Sequence, residues 1–163
     1  MLRLIRQILA CSLLLMVLAT SAQAGVGLGD EVPALDVRLL DGKTLSLATL
    51  KKRPVLVTFW ATWCPPCIKE MADLQQLYER YHGQGLEVIA ISVNTERAQV
   101  EDFLKSRGYT YPMAMSVPRH TEVFGPMLLP PRLFLIGPDG KIALSHWGPV
   151  RLEALEATVK GML

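Results

Sequence analysis

Val57-Thr58-Phe59-Trp60-Ala61-Thr62-Trp63-Cys64-Pro65-Pro66-Cys67-Ile68-Lys69-Glu70-Met71 decides how this chain is read. Its opening, led by Pro54-Val55-Leu56, is a β-branched and aromatic run of the kind that forms a buried central strand. Its second half starts a helix pattern at Pro65. Between the two stand Cys64 and Cys67. Thiols at that spacing can close a small disulfide ring and reopen it, which is the chemistry of thiol–disulfide exchange.

Working outward, the helix is expected to run from Pro65 to about His82 and to close at Gly83. Ile68, Met71, Leu74, Tyr78 and Tyr81 recur every three or four residues and predict one apolar stripe. Upstream, Pro33 to Leu47 reads as a hairpin turning at Asp41-Gly42. Ser46 to Leu50 reads as a short helical turn, and Lys51-Lys52-Arg53 as a solvated connection. Downstream, Leu86 to Val93 is a second buried strand and Thr95 to Arg107 a second helix. An extended segment follows at Tyr111 to Val117, then a short element around His120 to Phe124. Arg132 to Ile136 and Ile142 to Trp147 flank the turn Pro138-Asp139-Gly140 as an antiparallel pair, and a last helix spans about Arg151 to Met162. No internal repeat or low-complexity segment interrupts this order. It predicts one α/β domain on a mixed β-sheet.

The first 24 residues read as targeting rather than fold. Arg3 and Arg6 precede an apolar run from Ile8 to Ala19, and Ala22-Gln23-Ala24 offers a small-residue cleavage site. The run is short against the roughly 20 residues of a membrane span. A signal peptide at 1–24 ahead of a single domain at 25–163 is therefore expected, with an uncleaved anchor as the alternative. Cys11 sits too early in the segment for lipidation. Removing 1–24 leaves 139 residues, enough for one core. It takes two of the 17 basic residues and none of the 15 acidic ones, so the remainder has no net formal charge. Of three cysteines, only Cys64 and Cys67 then remain. With no basic stripe, nucleic-acid binding is not expected.

Export puts the pair in an oxidising compartment, where disulfides are usually structural. A two-residue loop, however, constrains the unfolded chain very little, which makes a staple a poor reading. Zinc would need a second pair of ligands. Cys64 falls at the helix N-terminus, where free N–H groups and the dipole favour negative charge; it is expected to carry a lowered thiol pKa and to be the attacking nucleophile. Cys67, one turn in, is the resolving thiol. Pro65 and Pro66 stiffen the loop and remove two N–H donors, which tempers the shift and predicts a fairly reducing pair. Glu70 follows Cys67 by three residues. There it is either a helix-start glutamate favoured by the dipole or a buried carboxyl that accepts and returns the Cys67 proton. Trp63 is expected to shield the thiols and offer apolar contact to a partner.

The quoted segment closely resembles the active site of TlpA/ResA-like thioredoxin-fold proteins, exported or membrane-tethered thiol–disulfide oxidoreductases. The resemblance continues through Gly85-Leu86-Glu87-Val88-Ile89-Ala90-Ile91-Ser92-Val93 and Tyr109-Thr110-Tyr111-Pro112. It ends with Pro131-Arg132-Leu133-Phe134-Leu135-Ile136-Gly137-Pro138-Asp139-Gly140-Lys141. It implies a thioredoxin fold, a central mixed β-sheet flanked by helices, with an extra N-terminal β-hairpin. By position, Cys64 matches the nucleophile, Cys67 the resolving cysteine, and Glu70 the glutamate of the reducing, cytochrome-maturation branch. Pro131 matches the cis-proline that faces the disulfide. Thr58 stands where cytoplasmic thioredoxins carry a buried aspartate, which leaves proton handling to Glu70. The family usually shows threonines after the cis-proline, whereas Arg132 and Leu133 stand here. Pro130, which precedes it, supplies no N–H to pair with a substrate strand, so binding is expected to depend on a specific docked partner.

The resemblance also implies a periplasmic location, possibly anchored to the inner membrane, with disulfide-bearing exported proteins as clients. These would be apocytochrome c or a copper-site assembly protein, with a membrane thiol-relay protein as electron donor. The dithiol needs no cofactor, and no metal site is assigned. Two rivals remain. Met113 and Met115 share one face of a strand near His120 and could join the thiolates in a copper module, although strand methionines more often fill a core. A peroxide reductase would want a threonine three residues before the reactive cysteine; Thr62 lies two before. His82 and His146 receive no role.

Overall fold

The protein is described by a computed structural model over residues 25–163; the signal segment expected at 1–24 lies outside the described residues. The expected hairpin forms β1 (Asp36–Arg38) and β2 (Thr44–Ser46), antiparallel, and a single 3-10 turn follows at Leu47–Leu50. Its turn uses Gly42 at φ 87°, with the Asp41 carboxylate accepting the Lys43 N–H at 2.9 Å. Then come β3 (Val55–Trp60), α1 (Pro65–Tyr81), β4 (Glu87–Ser92), α2 (Arg97–Lys105), β5 (Met113–Met115), α3 (Pro118–Phe124), β6 (Arg132–Ile136), β7 (Ile142–Trp147) and α4 (Leu152–Lys160).

The five-stranded sheet has the order β5-β4-β3-β6-β7. β3 and β4 pair in parallel, as do β4 and β5; β6 and β7 run antiparallel. Every residue of β3 and β4 is buried, which is why both read as continuous apolar runs instead of alternating ones. One face carries Leu56, Trp60, Val88, Leu133 and Leu135 against α1 and α4. The other carries Val57, Phe59, Ile89, Ile91 and Phe134 beneath Leu35, Val37 and α3. The chain ahead of β3 straps this second face. Val26 N–H bonds the Val123 carbonyl, Gly29 and Asp30 pair with Ile142 at one sheet edge, and Leu40 N–H bonds Met113 at the other. Both edges are thereby partly closed to foreign strands.

α1 departs from expectation at its end. The α-helix stops at Tyr81 and a 3-10 turn carries the chain through Gly83 to Gly85, which takes φ 120°. Gly85 N–H bonds the His82 carbonyl and Leu86 N–H bonds that of Tyr81, the paired pattern that closes helices on a positive-φ glycine. The stripe is also turned. Its buried members are Cys67, Glu70, Met71, Leu74, Leu77 and Tyr81, with Ile68 and Tyr78 only half-buried beside them. Met71, Leu74 and Tyr81 are thus buried as expected, and the stripe shifts to take in Leu77 and the polar Glu70.

Candidate active site

β3 ends, the chain makes a short turn, and Cys64 becomes the N-cap of α1. Cys64 and Cys67 are joined by a disulfide with S–S 2.04 Å. With prolines at the first two helical positions, the first free N–H of the helix is that of Cys67, which reaches the Cys64 Sγ at 3.3 Å. On its other side the Cys64 Sγ lies 3.5 Å from the Pro130 carbonyl oxygen. The Pro130–Pro131 peptide is cis. After reduction, the N–H donor favours a thiolate at Cys64 and the carbonyl favours a protonated thiol. Both cysteines are buried, while Trp63 is 62% exposed beside them.

Glu70 sits one turn beyond Cys67 on the same buried face, only 4% exposed. Its Oε1 accepts the Thr58 hydroxyl at 2.9 Å from β3, and its Oε2 accepts the Val150 N–H at 3.3 Å from the loop before α4. Burial pushes its carboxyl up to about 6 against the pull of those two hydrogen bonds, with a small further push from Asp73. A carboxyl that changes protonation near neutrality, one turn from the resolving thiol, is suited to exchange that thiol's proton.

The turn that carries Trp63 is held by Asn94, which the sequence reading missed. Its Oδ1 accepts the Thr62 N–H at 3.0 Å and the Ser92 hydroxyl at 2.9 Å, and its Nδ2 donates to the Thr62 hydroxyl at 2.7 Å. Thr62 and Asn94 are far apart in sequence, and only the parallel pairing of β3 with β4 joins them. Leu128 and Leu129, 78% and 73% exposed, precede the cis peptide. Met113 is buried in the same apolar cluster as the cysteines. His120 is buried in α3, its Nδ1 accepting the Val117 N–H at 3.2 Å. Among the described residues no group of three His, Cys, Asp or Glu could hold an ion. Trp147 lies on the side of the sheet away from the final helix, with the Arg132 guanidinium 4.2 Å above its ring.

A family model described as Redoxin matches residues 28–163. The chain is 35% identical over 136 residues to the thiol-disulfide oxidoreductase ResA of Bacillus anthracis, spanning 82% of this chain and 77% of that protein. It is 32% identical over 114 residues to ResA of Bacillus subtilis strain 168, spanning 70% and 64%. Among solved structures, a thiol:disulfide interchange protein of the thioredoxin family from Chlorobium tepidum TLS superposes with a TM-score of 0.74. It is 28% identical and is matched over 83% of this chain and 97% of that one.

Proposed function

This chain belongs to the Redoxin family and, within it, to the TlpA/ResA-like thiol–disulfide oxidoreductases, and from that premise we propose that it works in the periplasm as a reductant of disulfides in exported clients. The observation that carries this reading is the placement of Glu70, buried one helical turn from Cys67 with its carboxyl pushed up to about 6, where it can accept the resolving thiol's proton. The Cys64 thiolate attacks one sulfur of a client disulfide, and the departing client thiolate takes up a proton. Glu70 removes the Cys67 proton, and the Cys67 thiolate then attacks the Cys64 Sγ. The second client thiolate is expelled and protonated from solvent, so the client leaves with two thiols that hold the two electrons given up by the dithiol, which is left as the Cys64–Cys67 disulfide. Glu70 gives its proton back when a membrane thiol-relay donor reduces the pair. The surroundings of Cys64 support this direction. Two prolines withhold N–H donors and the Pro130 carbonyl faces the sulfur, so the reduced state gains little from thiolate stabilisation and hands on its electrons readily. Apocytochrome c or a copper-site assembly protein is the client class this reading favours.

Trapping decides it. A Cys67→Ala variant expressed in cells cannot resolve its mixed disulfide, and the attached proteins can be identified by mass spectrometry. Exported proteins bearing cysteine pairs of cytochrome or copper sites are expected. Capture of oxidised folding enzymes alone, or of nothing, would remove the maturation role.

A further inference from the structure

Arg132 begins β6 directly after the cis-proline and points away from the cysteines. It lies opposite Trp147 in the strand register and on the same face as Phe134. Its guanidinium carbon lies 4.2 Å from the Trp147 ring centroid and 4.6 Å from that of Phe134. One nitrogen, Nη2, donates to the Ser145 hydroxyl at 2.8 Å, while Nε is buried and has no partner. Among the described residues no carboxylate forms an ion pair with it. A buried donor left unmade is costly, and this partly buried guanidinium has no counter-charge to offset its own desolvation. Stacked on two rings, the guanidinium is held in one orientation, and the donors it offers a carboxylate are those of its Nη atoms, since Nε is sealed from solvent.

The place of this cation matters. Pro130 O touches the Cys64 Sγ, and Arg132 is two residues further along, within about 7 Å of extended backbone. Gly148 N–H bonds the Pro131 carbonyl at 2.9 Å, which ties the half-exposed Trp147 to the same turn. Pro130 offers a client strand no N–H. Side-chain recognition can supply what backbone pairing there lacks. Because residues 25–163 carry no net formal charge, selection by charge has to come from a local group rather than the whole molecule's field.

The geometry points to Arg132 as a specificity-determining residue that selects client segments bearing an Asp or Glu side chain next to the cysteine under attack. This rests on the reductase reading above and names the chemistry of its clients. It is tested with reduced protein and three acetylated, amidated peptides whose single cysteine is linked to 2-thiopyridine. The residues flanking that cysteine are Glu, Gln or Lys. Attack by Cys64 joins the peptide to the protein and releases 2-thiopyridone, whose absorbance gives the rate. The Glu peptide should react at least about fivefold faster than the Lys peptide, with Gln between. Arg132→Gln should bring the Glu-to-Lys ratio to within about twofold, and Arg132→Lys should keep part of it. Should Arg132→Gln not fold, the wild-type ratio must still collapse between about 0.01 and 1 M salt, as the screening length falls from about 30 to 3 Å. Equal rates for the three peptides, or a ratio that survives both Arg132→Gln and salt, overturns the proposal while leaving the reductase reading intact. No release from any peptide overturns both.

Discussion

Glu70 is the residue whose role the sequence left open between an ordinary helix-start glutamate and a proton carrier. Its spacing from Cys67 was legible; its burial was not, because the Thr58 hydroxyl and Val150 N–H that hold it come from distant segments. Its carboxyl titrates at about 6, where an unperturbed glutamate would titrate near 4.5. The native state thus holds a proton that the unfolded chain releases between those values. The stability this brings is fully present below about pH 4.5 and is lost as pH rises through 6, a swing of about 2 kcal/mol at ~1.36 kcal/mol per pH unit. Gln cannot ionise. Relative to wild type, Glu70→Gln should therefore gain about 2 kcal/mol between pH 4 and pH 8 in urea unfolding of the oxidised protein. A difference that stays flat across that range would mean that Glu70 does not ionise in a buried setting. Arg132 taught the opposite lesson. It stood out in the sequence as a departure from the threonine usual after the cis-proline, yet nothing in the sequence tied it to Trp147.

At the scale of elements, strands and helices were read in their correct order because each has a strong local signal. β3 and β4 are apolar throughout, and the turns carry Asp-Gly. Helix ends were less legible. Two glycines, Gly83 and Gly85, stand within three residues, and only backbone geometry tells which one closes α1. Gly85 takes φ 120°, and the nearest heavy atom to a Cβ built there is a Leu163 methyl at 3.9 Å. The space is open, so Gly85→Ala should cost only its backbone strain, about 1–2 kcal/mol. Gly83 does not adopt a positive φ, and Gly83→Ala should cost nothing or stabilise slightly. Equal losses in the two variants, measured as shifts of the urea midpoint at constant slope, would contradict this assignment of the cap.

For the molecule as a whole, the chain ahead of β3 is part of the core rather than an appendage. Leu35, Val37, Leu39 and Leu50 are buried over the sheet face that carries Phe59, Ile91 and Phe134. At about 1.5–3 kcal/mol each, these four contribute roughly 6–12 kcal/mol before the chain entropy of ordering them is subtracted. A typical domain's net stability is about 5–15 kcal/mol. A variant starting at Lys51 should lose its cooperative urea transition and bind apolar dyes; a sharp, native-like transition would show that the strap is dispensable. The sequence announced this hairpin but not the face it covers, since which side of a sheet a hairpin packs on is settled only when the sheet exists. The same assembly gathers all three tryptophans near the disulfide end of the sheet at three depths. Trp60 is sealed in the core against Phe103, Trp147 lies half-open under Arg132, and Trp63 stands in solvent beside the sulfurs. Disulfides quench nearby indole emission, and solvent shifts its colour, so the unlabelled protein carries its own optical gauge of the state of its cysteines.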